Sequence, residues 1–202
     1  MTMAWPPLPV LFAQTAPQAL WVLALLLLLA ALGCIVATLR TPRRPLVYCA
    51  TALLAASVVV VLIPAQHAPF VLRLLIGAAA LALAVLGGWP VSQLVLALAT
   101  RSTTEPSAHG GILVRAMTPE GGTTTREVLR GGTTIGLLER LAAAGTIMAG
   151  FPEGLAVLVA IKGVGRFTEL EEAEARERFI IGTLTSVIWA CVCAGVFRIV
   201  AG

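Results

Sequence analysis

Four charged residues lie in or beside two short apolar stretches near the end of the chain: Glu139, Arg140, Lys162 and Arg166. An ionisable side chain is costly at membrane depth, so at that depth it marks an ion path, a proton path or an internal salt bridge. At the membrane surface the same side chains would instead reach the headgroups and anchor the helices, or dock a cytosolic partner. The role of this polar layer therefore depends on the elements that position it.

Two short helices are predicted to carry the layer. The sequence Phe-Pro-Glu-Gly at 151–154 is a turn signal. Residues 135–150 and 155–167 should therefore form an antiparallel helical hairpin with its tip at Pro152 and Glu153. The charges lie about 17 Å of helix from this tip, only about half of a hydrocarbon core of roughly 30 Å. The hairpin either crosses the membrane, which draws the charges into the bundle, or is re-entrant, which leaves them at the cytosolic surface.

The composition indicates an integral membrane protein. The chain has 202 residues, of which 58% are hydrophobic and 12% are charged, and its mean hydropathy is +0.95. Soluble domains carry roughly twice that share of charged residues. Four apolar runs are long enough to cross a membrane as helices, and they cover residues 20–39, 46–63, 71–89 and 179–200.

The predicted fold is all-α and integral to the membrane. It is a helical bundle of four full spans plus the short charged hairpin, transmembrane or re-entrant. The predicted units are an N-terminal membrane region with three spans (1–100), a cytosolic loop (101–132) and a C-terminal membrane module (133–202). The third span is interrupted by Gly-Gly-Trp-Pro at 87–90, which marks either a kink in one long helix or the end of a span before an interfacial helix.

The cytosolic loop has two alternative structures. Residues 112–117 and 123–129 flank a turn that contains Pro and Gly, which favours a small β-hairpin. Alternatively, Thr124 caps a helix and Glu127 completes a capping box. The glycines of the loop are not followed by Lys-Ser or Lys-Thr, so the loop is predicted to be a connector rather than a phosphate-binding loop.

The basic residues are distributed unevenly along the chain. With the N-terminus outside, eleven of the 14 Lys and Arg residues fall in inward-facing segments. The outward-facing segments 1–19, 64–70 and 151–153 carry none. Basic residues mark the cytoplasmic side of membrane proteins, so the sequence predicts that both termini lie outside. The net positive charge then indicates contact with an anionic lipid surface, and no nucleic-acid partner is expected.

The last span carries a stripe of small residues that recurs every four positions: Gly182, Ser186, Ala190 and Ala194. Such a stripe lets another helix approach closely. The approaching helix could belong to the same bundle, to a second copy or to a membrane partner subunit. The sequence leaves these alternatives open.

The residue inventory argues against an enzyme. The chain contains no Asp, and neither His67 nor His109 has a partner at ligand spacing. No nucleophile, base and orienting group occur together. No catalytic residue, metal site or cofactor is therefore predicted. The four cysteines all lie in apolar stretches, which predicts buried thiols rather than the disulfide framework of a secreted protein.

The C-terminal third resembles the membrane segment of a group of uncharacterised bacterial integral membrane proteins. The resemblance rests on Ile135-Gly136-x-Leu138-Glu139-Arg140, on Lys162-Gly163 with Arg166-Phe167-x-Glu169-Leu170, and on Phe179-Ile180-Ile181-Gly182-Thr183-Leu184 with Ser186. It implies a location in the bacterial cytoplasmic membrane and a charged hairpin as a shared feature. The group supplies no activity that could be transferred to a residue of this chain.

Two functions are compatible with these observations. Short, glycine-interrupted membrane helices with charges are typical of transporter sites, which favours a small transport or ion-handling membrane protein. The alternative is a non-catalytic membrane anchor or assembly subunit, which would hold a partner through the cytosolic loop and residues 168–178.

Overall fold

The computed structural model describes residues 8–64, 66–99, 113–117, 123–127, 132–165 and 173–202. Within these ranges the chain forms six helices and two strands. Their bounds are α1 Leu8–Arg40, α2 Arg44–Val61, α3 Phe70–Ala99, β1 Leu113–Met117, β2 Thr123–Glu127, α4 Gly132–Met148, α5 Glu153–Gly165 and α6 Ala173–Ala201.

Four of the described helices are long and apolar enough to cross a membrane. The qualifying segments are Pro17–Arg40, Arg44–Val61, Phe70–Ala99 and Arg176–Ala201. This confirms the prediction of four long apolar helices. It follows from uninterrupted apolar runs, because a helix satisfies every backbone polar group within its own segment.

Helix α3 lies at the centre of the bundle. It packs against α1, α6 and α4, while α1 and α2 pack against each other as an antiparallel pair. The largest fully buried side chains come from α1, α2, α3 and α6, and they include Leu28, Ile35, Ile76, Leu83 and Val196. The backbone of α5, in contrast, packs only against α4 among the described elements.

Helix α3 continues through the Gly-Gly-Trp-Pro sequence at 87–90. It runs as one helix from Phe70 to Ala99 with Pro90 inside it, so the alternative of a span followed by a separate interfacial helix is wrong. Proline has no backbone N–H, and the carbonyl of Leu86 therefore loses its helical donor. This weak point in the hydrogen-bond ladder lies beside the candidate site.

Helices α4 and α5 form a hairpin. Gly150 has a φ of +79°, and its N–H donates to the carbonyl of Ile147 at 3.0 Å. The N–H of Phe151 donates to the carbonyl of Thr146 at 2.8 Å. A glycine in the left-handed region with these bonds is a usual way to end a helix. The chain then turns, and α5 begins at Glu153.

The tip of the hairpin lies near the C-terminal end of α6. A Cβ atom on Gly150 would be 3.4 Å from a guanidinium nitrogen of Arg198, in the last turn of α6. Pro152 and Glu153 are exposed at this end. The hairpin tip therefore reaches the same end of the bundle as the end of the last span.

The segment between α3 and α4 contains the two strands. β1 and β2 pair antiparallel, with Leu113 opposite Glu127 and Met117 opposite Thr123. The turn between them, and the remainder of the loop predicted at 101–132 apart from Gly132, lie outside the described residues.

Candidate functional site

Glu139 and Lys162 join the two helices of the hairpin. Lys162 Nζ donates to a carboxylate oxygen of Glu139, and the two groups form a salt bridge. The side chains are 18% and 20% exposed for Glu139 and Lys162, respectively. Nζ also lies 5.6 Å from the centre of the Phe179 ring, a distance at which the ring face attracts a cation. The pair thus connects α4, α5 and the start of the apolar part of α6.

Arg140 occupies a different environment from its neighbour. Its side chain is 6% exposed, and its Nε donates to the carbonyl of Val85 on α3 at 2.7 Å. A second guanidinium nitrogen donates to Oγ of Ser186 on α6 at 3.3 Å. Among the residues that the structure describes, Arg140 forms no salt bridge with a carboxylate. It is a buried cation held by uncharged acceptors.

Gly88 makes room for this arginine. A Cβ atom at Gly88 would lie 2.2 Å from Cδ of Arg140 and 3.1 Å from Oγ of Ser186. Any other residue at this position would displace the arginine from the surface of α3. The missing Cβ of Gly88 therefore creates the notch that Arg140 fills.

Gly87 makes room for a second large side chain. A Cβ atom at Gly87 would lie 2.6 Å from the indole ring of Trp189. Trp189 is 5% exposed, and its Nε1 donates to the carbonyl of Leu83 at 2.9 Å. Two neighbouring glycines on α3 thus admit one side chain from α4 and one from α6.

The small-residue stripe of α6 faces α3 and α4 of the same chain. Ala190 and Ala194 are fully buried. Ser186 contacts Arg140, and the carbonyl of Gly182 accepts a hydrogen bond from Ser92 Oγ at 3.2 Å. The stripe therefore contributes to the internal packing of this bundle.

The structure divides the predicted polar layer into two parts. Glu139 and Lys162 lie together between α4 and α5, whereas Arg140 points into the α3–α6 junction. Arg166 lies outside the described residues. Glu139 and Arg140 lie at one level of α4 but point to different helices, because consecutive residues on a helix point about 100° apart.

The partners of Arg140 are not predictable from the residues around it in the sequence. Val85, Gly88 and Ser186 lie on two other helices, and nothing near Arg140 in the sequence indicates them. The available signal was Gly87-Gly88 within an apolar helix, because small residues mark close approach between membrane helices. From the sequence alone, a kink, the end of a span and a notch for side chains are all compatible with this signal.

An open groove runs along the α4–α5 face beside the salt bridge. It has a volume of about 330 Å³, and Glu139 and Lys162 line it together with the apolar residues Ile135, Leu138, Leu158 and Ile161. The ion pair is therefore accessible from the outer side of the hairpin. Arg140 does not line this groove, and its side chain is less exposed than those of Glu139 and Lys162.

The salt bridge gives a first testable prediction. Glu139→Lys should lower the free energy of unfolding by about 1–3 kcal/mol, between the values for exposed and for buried pairs. The substitution removes the salt bridge. It also places a new cation on α4 next to Arg140 and opposite Lys162 of α5, so three positive charges lie close together. Thermal unfolding in detergent would measure the loss.

The double variant Glu139→Lys with Lys162→Glu is the matched control. It restores opposite charges across the same two helices, so it should recover at least half of the lost stability. A double variant as unstable as the single one would show that the pair does not connect α4 and α5.

Comparison of the chain with models of protein families, with curated proteins and with solved structures gives no match. The resemblance of the C-terminal third to a bacterial membrane protein group is therefore still a prediction.

Proposed function

We propose that this protein is a small ion-handling membrane protein and that the ion is an anion. The observation that supports the proposal is Arg140, a buried guanidinium bound to a backbone carbonyl and a hydroxyl. A charge inside a membrane bundle is expensive and usually lies on a substrate or ion pathway. The dipoles of the Val85 carbonyl and the Ser186 hydroxyl offset only part of this cost. An anion would stabilise the guanidinium more than these two uncharged groups do.

The charge balance of the described site supports an anion over a cation. Glu139 is already paired with Lys162, which leaves the positive charge of Arg140 without a carboxylate in the described residues. A planar guanidinium also suits oxyanions, because it can donate two parallel hydrogen bonds. The anion would replace Val85 or Ser186 as the partner of the guanidinium when α4 shifts relative to α3.

Flux measurements in proteoliposomes test this proposal. Chloride and inorganic phosphate would be supplied in turn, with potassium as the cation control. Wild-type protein should raise the flux of at least one anion above that of empty vesicles, without a similar rise for potassium. Arg140→Gln should remove the increase, whereas Arg73→Gln, at the far end of α3, should not. Equal anion flux with wild type, Arg140→Gln and empty vesicles would refute the proposal.

We further propose that the protein lies in a bacterial cytoplasmic membrane with both termini outside. The uneven placement of Lys and Arg supports this orientation. Two arginines are exceptions to this placement. Arg73, near the start of α3, and Arg198, near the end of α6, would lie at the outer side of the membrane, where long side chains can reach the headgroups. In this orientation the hairpin crosses the membrane, since its tip lies at the level of Arg198.

Labelling at the hairpin tip tests this topology. Glu153→Cys, in a variant without the native cysteines, should react with a membrane-impermeant maleimide added to intact cells. A cysteine in place of Arg178, before the last span, should react only after the cells are lysed. Protection of position 153 in intact cells, with labelling of position 178, would show the inverse orientation.

The anchor or assembly function is a second candidate, and α5 favours it. Among the described elements the backbone of this helix packs only against α4, and its outer side chains Val157, Ile161 and Val164 are 58%, 67% and 79% exposed. An exposed apolar helix face can contact lipid, a second copy or a partner subunit. Substituting Ile161 with Trp should then remove a stoichiometric partner from the purified complex. A protein that purifies alone from native lipid would argue against this function.

A further inference from the structure

The groove between α4 and α5 combines an apolar lining with one ion pair. Glu139 and Lys162 line it at the point where they form their salt bridge. The apolar side chains come from one face of each helix, at spacings of three and four residues: Ile135, Leu138 and Ala142 on α4, and Leu158 and Ile161 on α5. The groove is therefore amphipathic, because a salt bridge crosses a surface that is otherwise apolar.

None of the described helices and strands covers this groove. The backbone of α5 packs only against α4 among them, and the side chains of Leu138 and Ile161 are 60% and 67% exposed. Glu139 and Lys162 keep 18% and 20% of their side-chain surface exposed. In the membrane location proposed above, this side of the hairpin would face lipid. The ion pair then needs a polar partner there, because a charge in contact with hydrocarbon is costly.

The ion pair lies toward the open end of the hairpin. Lys162 is about one turn before the end of α5 at Gly165. Its Nζ lies against the ring of Phe179, where the charged sequence at 176–178 meets the apolar part of α6. In a membrane helix, such a boundary lies at the level of the lipid headgroups. A headgroup can therefore reach the pair from the bilayer surface.

We infer that this groove binds one phospholipid with a phosphoethanolamine headgroup. The headgroup carries a phosphate anion and a primary ammonium, which complement Lys162 and Glu139, respectively. The apolar lining would hold the first part of one acyl chain, since the groove follows α4 from Ile135 to Ala142 over about 10 Å. Its volume of about 330 Å³ is at the lower end of ligand pockets, which measure about 300–1,000 Å³. The inference rests on the proposed membrane location and does not require anion transport.

The ion pair can bind this headgroup without breaking. An ammonium group has three donors, and Nζ of Lys162 uses one of them on Glu139. The salt bridge occupies Oε2 of Glu139, and a carboxylate also accepts through its second oxygen. The remaining donors of Lys162 bind a phosphate oxygen, while Oε1 of Glu139 accepts an N–H of the lipid ammonium. Each charge then has a partner of opposite sign.

The same arrangement selects among headgroups. The quaternary ammonium of phosphatidylcholine has no N–H, so it cannot donate to Glu139. Phosphatidylglycerol carries no cation, so its phosphate would lie beside the carboxylate of Glu139 without compensation, and like charges at close range oppose binding. We expect phosphatidylethanolamine to bind about tenfold more tightly than either lipid, the effect of one hydrogen bond between charged groups.

Native mass spectrometry of the full chain tests the inference. Protein purified in detergent would be mixed with phosphatidylethanolamine, phosphatidylcholine or phosphatidylglycerol of identical acyl chains, and the bound lipids would be counted at several concentrations. One phosphatidylethanolamine should bind per chain at concentrations about tenfold below those needed for the other two lipids. Equal binding of phosphatidylethanolamine and phosphatidylcholine, tighter binding of phosphatidylglycerol, or a dimer of the chain without bound lipid would overturn the inference.

Variants assign the binding to this groove. Glu139→Gln keeps the size of the side chain and removes the carboxylate charge, so the affinity for phosphatidylethanolamine should fall to that for phosphatidylcholine. Ala142→Trp fills the groove from an exposed position of α4 and leaves the ion pair in place. It should weaken the binding of both lipids. Leu141→Trp is the matched control, since Leu141 is exposed but does not line the groove, and it should bind like wild type.

A preference for phosphatidylethanolamine that survives both Glu139→Gln and Ala142→Trp would place the lipid elsewhere on the protein and overturn the inference. Thermal unfolding of each variant in the same detergent shows that the protein examined is folded. Lipid binding is measured without ion flux, so its failure leaves the proposed function standing. Absence of anion flux, in turn, leaves this lipid site standing.

Discussion

Replacing Arg140 with Met should lower anion flux about 10–100-fold and still leave the protein folded. A hydrogen bond to a charged group contributes about 1.5–3 kcal/mol, and each 1.4 kcal/mol corresponds to about tenfold in affinity. Met keeps most of the apolar length that fills the notch at Gly88. It also removes a buried charge that no carboxylate pairs with in the described residues, so the cost of burying that charge disappears. The carbonyl of Val85 loses one donor, which lowers the free energy of unfolding. Because the other two effects oppose this loss, the free energy of unfolding should stay within about 2 kcal/mol of wild type.

Flux and stability must be measured on the same preparation. Proteoliposome flux, normalised to folded protein, gives the functional effect, and unfolding in mixed detergent micelles gives the structural one. Arg140→Lys is the matched control, since it keeps the charge and loses the planar donor pair. Its flux should lie between those of wild type and the Met variant. If Arg140 only joins the helices, the Met variant should instead lose stability and keep its flux per folded molecule.

Much of the helical fold could be predicted from residue patterns. The four long apolar helices follow from apolar runs, because the length and composition of each run are sufficient to cross a membrane. The hairpin follows from Phe-Pro-Glu-Gly at 151–154, whose glycine and proline prevent a continuous helix. Gly150 takes the left-handed conformation that ends α4. These features depend on residues close in sequence, so they are visible without knowledge of the packing.

The candidate site depends on contacts between residues distant in sequence. Glu139 and Arg140 are neighbours, and the sequence does not show which of them faces the bundle interior. That choice depends on the notch at Gly88 and on the acceptor at Ser186, which lie on α3 and α6. In a membrane both faces of a helix are apolar, so the hydrophobic pattern that identifies the inner face of a soluble helix is absent.

For the same reason, the hydrophobic pattern does not show which residues of α3 face which residues of α6. Their contact is specified by shape: glycines on α3 face the large rings of α6. Gly77 faces Phe197, whose ring lies 2.8 Å from a Cβ atom built on the glycine, and Gly87 faces Trp189. Each pair combines the smallest residue with a large one. The strongest test of this packing is therefore to fill one of these gaps.

Gly87→Ala should destabilise the protein by about 1–3 kcal/mol, because the higher helix propensity of alanine offsets about 0.5–1 kcal/mol of the cost. The added Cβ would lie 2.6 Å from the Trp189 ring, and inserting atoms into a packed core costs about 1–3 kcal/mol. Moving the ring also breaks the bond from Nε1 to the Leu83 carbonyl, which contributes about 1 kcal/mol. The ring is rigid and Trp189 is only 5% exposed, so moving the ring away from the added Cβ disturbs the packed side chains around it.

Gly195→Ala and Gly145→Ala are the matched controls, because a Cβ atom at either position would meet nothing within 4 Å. A glycine inside a helix is less stable than alanine by about 0.5–1 kcal/mol, so both controls should stabilise the protein slightly. Combining Gly87→Ala with Trp189→Leu should cost less than the sum of the two single changes, because the smaller side chain removes the clash. Unfolding in mixed micelles measures all five variants. Strict additivity, or a Gly87 variant as stable as the controls, would mean that Trp189 does not lie against α3 at this glycine.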